Sequence, residues 1–174
     1  MSKITYYIID SSSLIELNRK YPIDVFPGIW KKIEELIGKG FLFSPQEVRK
    51  EILVLDDSLK DWVQKQENLF RPLTANQIGL VREILKKYPS LANPDSEVPS
   101  ADPFVVALAV EMGKDPQQTL AAVTKIRIIV TEERLRGNRV RIPFVCKDYS
   151  IACLNILEMC RAEGWKFDVA YSNF

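Results

Sequence analysis

Short apolar runs alternate with amphipathic stretches along most of this chain, and each run has the length of a β-strand. Residues 4–9 form the first run, which is β-branched and aromatic and too short for a helix. It ends at Asp10 and three serines, and apolar residues then return with helical spacing at Leu14, Ile15 and Leu17. The pattern predicts a buried strand, a tight turn and a helix.

The same alternation continues to the end of the chain. Further strands are predicted at residues 41–43, 126–130 and 142–145, with an edge strand at 165–169. Helices are predicted around residues 29–37, 46–53, 59–63, 74–88, 104–112 and 149–163. The helix at 104–112 is apolar on nearly every side, so it should be central and covered all round. Residues 114–124 are ambiguous and fit a loop with a helical turn.

Two helix starts carry specific signals. Ser44, Pro45 and Glu47 have the spacing of a capping box with proline in the first turn. Thr74 is the predicted N-cap of a helix whose apolar face includes Ile78 and Val81.

Strands that alternate with helices predict βαβ units and an α/β fold, a three-layer α/β/α sandwich with a mainly parallel sheet. The 174 residues show no internal repeat and no boundary, which favours a single domain over residues 1–174. An apolar content of 47% and a charged content of 27% are those of an ordinary globular protein.

Composition excludes several kinds of site. The chain has no histidine, so histidine-based acid–base chemistry and histidine metal sites are excluded. A net charge of +1 means that any nucleic-acid binding must use a local basic patch. Cys146, Cys153 and Cys160 form no C-x-x-C pair, and we interpret them as core residues, with Cys153 and Cys160 on one helical face. The N-terminus resembles no signal peptide and no apolar run could span a membrane, so we expect a cytoplasmic protein.

Acidic residues recur where predicted strands end or where the next helix starts. They are Asp10, Glu47, Glu51, Asp102, Glu132 and Glu133. In a parallel sheet these positions share one edge, so the carboxylates could converge there. Oxygen ligands suit Mg²⁺ and Mn²⁺, and such ions activate water for phosphodiester hydrolysis. Each residue also has a simpler explanation, because Asp10 and Asp102 could be N-caps, Glu47 could complete a capping box, and the others could be solvated.

Four motifs, in their order and spacing, resemble the PIN domain, the nuclease fold of VapC-type toxins. They are Y-Y-I-I-D-S-S-S, E-V-R-K-E-I, S-A-D-P-F-V-V-A-L-A and I-I-V-T-E-E. The C-terminal stretch from I-P-F-V-C-K-D-Y-S is similar to a prokaryotic PIN-like family, so the resemblance covers essentially the whole chain. Residues 114–125 depart from the compact toxin pattern.

The resemblance implies three or four acids around Mg²⁺ or Mn²⁺. Asp10, Glu51 and Asp102 match the acids that would hold the main metal, and Ser12 matches the hydroxyl companion of the first acid. Thr131 and Glu133 match the residues that would hold a second metal or orient the attacking water. Glu132 could substitute for Glu133, and Asp148 is a further candidate.

The activity that the resemblance implies is endoribonuclease cleavage that leaves a 5′-phosphate and a 3′-hydroxyl. It also suggests a toxin of a toxin–antitoxin pair, with a homodimer and a neutralising antitoxin protein. A basic path for RNA would use side chains near the edge that carries Glu133. These are Lys125, Arg127, Arg134, Arg136, Arg139 and Arg141. The alternative is a solvated loop with local charge balance.

Two other classes of function remain open from sequence. A PIN-like scaffold without catalysis would act through protein or nucleic-acid contacts. A phosphatase or phosphotransfer domain would use Asp10 as a nucleophile, but Ser12 stands where a phosphatase of the haloacid dehalogenase type has a second Asp. No acidic pair precedes the end of the first strand, as a receiver domain requires.

Overall fold

Five parallel strands form one sheet in the computed structural model, which describes residues 2–92, 99–113, 123–137 and 139–167. In chain order the strands are β1 (Ser2–Ile9), β2 (Leu42–Pro45), β3 (Phe70–Arg71), β4 (Val123–Val130) and β5 (Ala152–Leu154). Every pairing is parallel, and the order across the sheet is β3-β2-β1-β4-β5. β1 is therefore the central strand.

Helices connect these strands and cover the sheet on both sides. In chain order they are α1 (Ser11–Lys20), α2 (Pro27–Gly38), α3 (Gln46–Leu55), α4 (Lys60–Lys65), α5 (Ala75–Lys87), α6 (Asp102–Gly113), α7 (Ile142–Asp148) and α8 (Ile156–Ala162). Short 3₁₀ turns at Asp57–Leu59 and Pro89–Leu91 add to them. The α/β class and the three-layer α/β/α arrangement predicted from sequence are confirmed.

The strand register brings the ends of neighbouring strands to one edge. β1 and β4 pair along their full length, and Ile9 lies opposite Val130. Val130 in turn lies opposite Leu154 of β5. Because parallel strands with this register end together, Asp10 and Thr131 follow them at the same edge of the sheet.

The core lies around β1 and the central helix α6. Ile8 and Ile9 are fully buried, and most of α6 is buried as its composition predicted. The faces of α2 and α4 meet through Trp30 and Trp62, whose rings pack edge to face 4.8 Å apart. Asp102 is the first residue of α6, and the close packing around this helix fixes the position of its backbone.

The C-terminal third differs from the sequence prediction. Residues 142–145 belong to helix α7 and not to a strand, with Pro143 in its first turn. The helix predicted from residue 149 is divided by β5, and α8 begins only after Asn155, which forms a capping box with Glu158. Cys153 therefore lies in a strand, and the prediction that it shares a helical face with Cys160 was wrong.

The predicted edge strand at 165–169 is also absent over residues 165–167, while residues 168 and 169 lie outside the described part of the chain. Residues 114–122 likewise lie outside it, and Thr124 belongs to β4. β3 was missed because two residues carry no periodic signal.

Two smaller predictions about helix starts have different outcomes. Ser44 does not cap α3, because it lies in β2 and its hydroxyl donates to the carbonyl oxygen of Ile9 at 2.7 Å. Thr74 does cap α5 and accepts a hydrogen bond from the amide of Gln77. The buried face of α5 passes through Leu80 and Ile84, however, and leaves Ile78 40% exposed.

Among the residues described, no helix combines the length and the apolar character that crossing a bilayer requires.

Candidate functional site

Asp10 is buried at the turn from β1 to α1, with only 3% of its surface exposed. Its carboxylate accepts hydrogen bonds from the Ser13 amide at 2.9 Å, the Ser12 hydroxyl at 2.8 and 2.9 Å and the Thr131 hydroxyl at 2.6 Å. It is therefore the N-cap of α1, as its simpler explanation predicted. The net pKa of Asp10 is raised to about 6. Burial and the Glu133 carboxylate raise this pKa, and the hydrogen bonds from the three donors oppose them.

Two hydroxyl groups link the strand ends around Asp10. Ser12 Oγ accepts from the amide of Glu132 at 3.1 Å, and Thr131 Oγ1 accepts from the amide of Glu133 at 3.1 Å. The Thr131 amide donates to the carbonyl oxygen of Leu154 at the end of β5. The ends of β1, β4 and β5 are thus joined into one hydrogen-bonded edge that fixes the positions of the polar side chains.

Asp102 begins α6 and faces the same edge. Burial and, after it, the carboxylates of Glu133, Asp10 and Glu51 together raise the pKa of Asp102 to about 8, while Arg141 opposes them. Four of the predicted site acids therefore lie within electrostatic reach of one another. Within the described part of the chain, no side chain donates a hydrogen bond to the Asp102 carboxylate.

Glu51 lies in the second turn of α3, where it has no capping role. The Ser11 hydroxyl donates a hydrogen bond to Glu51 Oε2, which ties α3 to the start of α1. Glu47, one turn earlier, is buried, and its Oε2 atom has no hydrogen-bond partner within the described residues. The capping box predicted for Glu47 does not form, because Pro45 is the N-cap residue and makes no side-chain bond.

Glu132 and Glu133 are neighbours in sequence but contact different helices. Glu133 accepts from Arg141 Nη1 at 2.7 Å and from the amide of Ile142, the first residue of α7, at 2.9 Å. Glu132 accepts from the amide of Ile156, the first residue of α8, at 3.0 Å. Of the two alternatives left open by sequence, Glu133 is the one that lies beside Asp102, and Glu132 anchors α8.

Asp148 lies apart from this cluster. It ends α7 and accepts hydrogen bonds from the Lys87 ammonium group and the Tyr88 hydroxyl. These donors lower the pKa of Asp148, the opposite direction from that of Asp102. Its position argues against the sequence-based suggestion that it is a further site acid.

The six predicted basic residues divide into three pairs by position. Arg139 and Arg141 line a cavity of about 580 Å³ together with Asp102, Glu133 and Ser100. A cationic side chain at the mouth of an acidic cavity can both balance the carboxylates and contact an anionic ligand.

Arg134 and Arg136 are exposed on the segment that follows β4. Lys125 and Arg127, in contrast, lie opposite Ile4 and Tyr6 of β1, five and three residues before Val130 at the end of β4. They are therefore displaced from the carboxyl edge, and the prediction that all six basic residues gather there was wrong for these two.

Across the described residues, no group of three or more acidic or cysteine side chains is arranged to hold a metal ion. Three of the four acids are instead engaged by donors of the protein: both oxygens of Asp10 and of Glu133 accept hydrogen bonds, and the Ser11 hydroxyl donates to Glu51. Among the residues that the structure describes, Asp102 is the one of the four with no such donor. The oxygen donors and their concentrated negative charge fit a hard divalent cation in chemistry, whereas their present orientation serves hydrogen bonds within the protein.

Comparison with known proteins identifies the family to which the chain belongs. None of the curated proteins matches the chain. The family model that matches covers residues 7–167, which is nearly the whole sequence and includes every site residue discussed above. The chain therefore belongs to the DUF4411 family, which is described as a domain of unknown function.

Proposed function

We propose that this protein is a Mg²⁺- or Mn²⁺-dependent endoribonuclease that hydrolyses RNA phosphodiesters at the carboxyl edge of its sheet. The observation that carries the proposal is the environment of the Asp102 carboxylate. It is buried near three other carboxylates and accepts no hydrogen bond from the residues that the structure describes. Such a group is expensive to ionise in isolation, and a bound cation removes that cost. The resemblance to PIN nucleases supports the same conclusion independently.

In this proposal Asp10, Glu51 and Asp102 hold the main metal ion. The metal would supply an activated water and neutralise charge on the phosphate. Ser12 and Thr131 fix the orientation of Asp10 through their hydroxyl groups, which a catalytic carboxylate requires.

Glu133 has a different contribution in the proposal. It holds Arg141 and the first turn of α7 in place and adds negative charge next to Asp102. Release of Glu133 from Arg141 would free it to orient water or to bind a second metal ion.

The RNA would reach the acids along the arginine side. Arg139 and Arg141 line the cavity above Asp102, and Arg134 and Arg136 extend the positive charge over the exposed segment after β4. Contacts from arginine to phosphate predict binding that weakens as salt increases. A toxin role, an antitoxin partner, a homodimer and a cytoplasmic location are supported by the PIN resemblance and the sequence composition.

The test is a crystal structure of the protein soaked in Mn²⁺, read for anomalous density among Asp10, Glu51 and Asp102. RNA cleavage is then measured for the wild type, Asp10→Asn and Asp102→Asn, with Asp148→Asn as the matched control because it removes a carboxylate outside the cluster. We expect a metal peak, cleavage by the wild type and the control, and loss of cleavage in the two site variants. Equal cleavage by all four proteins would refute the proposal.

A second candidate function is a PIN-like scaffold that binds a partner without catalysis. It is favoured by the hydrogen bonds of Asp10 and Glu133, whose carboxylate oxygens already accept from donors of the protein. The Mn²⁺ soak distinguishes the two, because a scaffold would keep these hydrogen bonds and show no density between the carboxylates at millimolar Mn²⁺.

A further inference from the structure

A cavity of about 590 Å³ lies between the start of α2, helix α8 and the segment that follows α8. Four aromatic rings line it in two edge-to-face pairs, Tyr21 with Phe26 at 5.4 Å and Trp165 with Phe167 at 6.5 Å between ring centroids. The volume is in the range of small-molecule sites in proteins, and such sites are lined mostly by apolar and aromatic side chains.

The walls of this cavity leave much of their apolar surface in water. Ten large apolar side chains are exposed among the described residues, and four of them, Val25, Phe26, Leu157 and Phe167, line this cavity. Single exposed apolar residues are ordinary, whereas a concentration of them indicates a place where another molecule binds. An apolar ligand in the cavity would remove this surface from water, which favours binding.

Two cationic side chains give the same cavity a charge preference. Arg161 lies in the last turn of α8, and Lys166 lies between Trp165 and Phe167, so that both line the cavity and are exposed. Neither side chain has a hydrogen bond or an ion pair to another described residue, and no acidic residue of the described chain lines the cavity. Apolar walls with unpaired positive charge are complementary to an anion that has an apolar body.

We propose that this cavity binds a small amphipathic carboxylate, with its apolar body against the aromatic rings and its carboxylate at Arg161 and Lys166. A planar guanidinium group can donate two parallel hydrogen bonds to a carboxylate, and the ammonium group adds a second positive charge. None of the four site acids lines the cavity, so the inference goes beyond the proposed nuclease function and does not depend on it.

Gly28 keeps space open on the α2 side of the cavity. A β-carbon at this position would lie 3.5 Å from Cδ1 and 3.9 Å from Cε1 of Phe167, which is ordinary contact distance. A larger side chain would therefore occupy space beside Phe167 that the ligand needs. Gly28 is exposed in the first turn of α2, where leucine supports a helix better than glycine, so Gly28→Leu should block the cavity and keep the fold.

The experiment measures binding of octanoate to the full-length protein by isothermal titration calorimetry, with 1-octanol as the uncharged probe of the same chain length. The full chain is used so that residues 168–174, which lie outside the described part, are present. We expect octanoate to bind about tenfold more tightly than octanol, because hydrogen bonds to charged groups are the stronger ones, and its affinity to fall as salt increases.

Two variants separate the charged and the apolar parts of the site. Arg161→Gln combined with Lys166→Gln should weaken octanoate binding by about tenfold and leave octanol binding unchanged, whereas Gly28→Leu should abolish binding of both probes. The matched control is Arg82→Gln combined with Lys86→Gln, which removes two exposed cations of α5 outside the cavity and should bind octanoate as the wild type does. Melting temperatures check that each variant is folded.

Several outcomes would overturn the proposal. They are the absence of octanoate binding by the wild type, equal affinity of the wild type for octanoate and octanol, and unchanged octanoate binding by either site variant. Attachment to vesicles of anionic lipid without binding of octanoate would also overturn it, because the same side chains would then form a membrane-contact surface. The wild-type titrations decide the question even where a variant folds poorly.

Discussion

Replacement of Asp102 by asparagine should stabilise this protein, and the gain should increase with pH. The pKa of Asp102 in the folded protein is about 8 against an ordinary value of 3.8, because the carboxyl group is buried among three other carboxylates. A raised carboxyl pKa means that the folded state binds the proton more tightly than the unfolded chain. The resulting stability is full below about pH 4 and is lost as pH rises to about 8.

The magnitude follows from the two pKa values. Each pKa unit corresponds to about 1.4 kcal/mol, so the difference between the two pKa values lowers the free energy of unfolding, relative to low pH, by about 2 kcal/mol at pH 5 and by about 5 to 6 kcal/mol at pH 9. At pH 5 the loss arises because Asp102 ionises in the unfolded chain, and at pH 9 the folded protein also carries the buried charge. Asparagine has a similar shape and carries no charge. Its amide group can donate to the neighbouring carboxylates of Asp10, Glu51 and Glu133, which reduces the penalty for burying it.

The assay is urea unfolding of the wild type and Asp102→Asn at pH 5, 7 and 9 in the presence of a chelator, which keeps divalent cations away. We expect the stability difference to favour the variant and to increase by about 4 kcal/mol from pH 5 to pH 9. The control is Asp148→Asn, since Lys87 and Tyr88 lower the pKa of that carboxyl group and its removal should not stabilise the protein at any of these pH values. A stability difference for Asp102→Asn that stays constant with pH would refute the reasoning.

Three further predictions concern metal, RNA and the strand edge. Millimolar Mn²⁺ should raise the melting temperature of the wild type and raise it less in Asp10→Asn, as differential scanning fluorimetry would reveal. Charge reversal at Arg136 and Arg139 should weaken RNA binding and flatten its dependence on salt, and unchanged titrations at two salt concentrations would exclude this path. Ser44→Ala removes the hydroxyl that donates to the buried Ile9 carbonyl oxygen, so urea unfolding should give a loss of about 1–2 kcal/mol; an unchanged midpoint would contradict that role.

The first half of the fold could be predicted because its elements carry complete local signals. Residues 4–9 are a continuous apolar run, and α2 has an uninterrupted amphipathic period that ends near Gly38. α6 was recognised because an apolar sequence without a polar face must be buried. These signals depend on neighbours in sequence alone, so no knowledge of tertiary structure was needed.

The C-terminal third could not be predicted in the same way, because its elements are short and depend on distant contacts. Residues 142–145 resemble a strand in composition, but the amide of Ile142 is satisfied by Glu133, which allows a helix to start there. Two local signals could have corrected the prediction. Pro143 is typical of a helical first turn, and Asn155 with Glu158 forms the spacing of a capping box.

The positions of the site residues were easier to predict than their contacts. Asp10, Asp102 and the pairs Glu47/Glu51 and Glu132/Glu133 are predicted to lie together because parallel strands share one carboxyl edge, and that inference needs only the fold class. The choice of Glu51 and Glu133 within the pairs came from the PIN resemblance. The donors that engage them come from elsewhere in the chain, as with Thr131 on Asp10 and Arg141 on Glu133. Such pairings depend on side-chain directions that spacing does not encode.

The chain bends at Glu132, directly after β4, and Glu132 and Glu133 go to different sides of the segment. Thr131 and Glu133 lie on the side of Asp10, while Glu132 accepts from the first amide of α8. Arg141 supplies the nearest positive charge to this side and already lowers the pKa of Asp102. On the proposed function, a divalent cation would compete with Arg141 for the same negative charge. The hydrogen-bonded arrangement of the carboxylates and the proposed metal binding are therefore compatible, because the guanidinium group would stabilise the cluster until a divalent cation replaced it and left Arg141 free to contact phosphate.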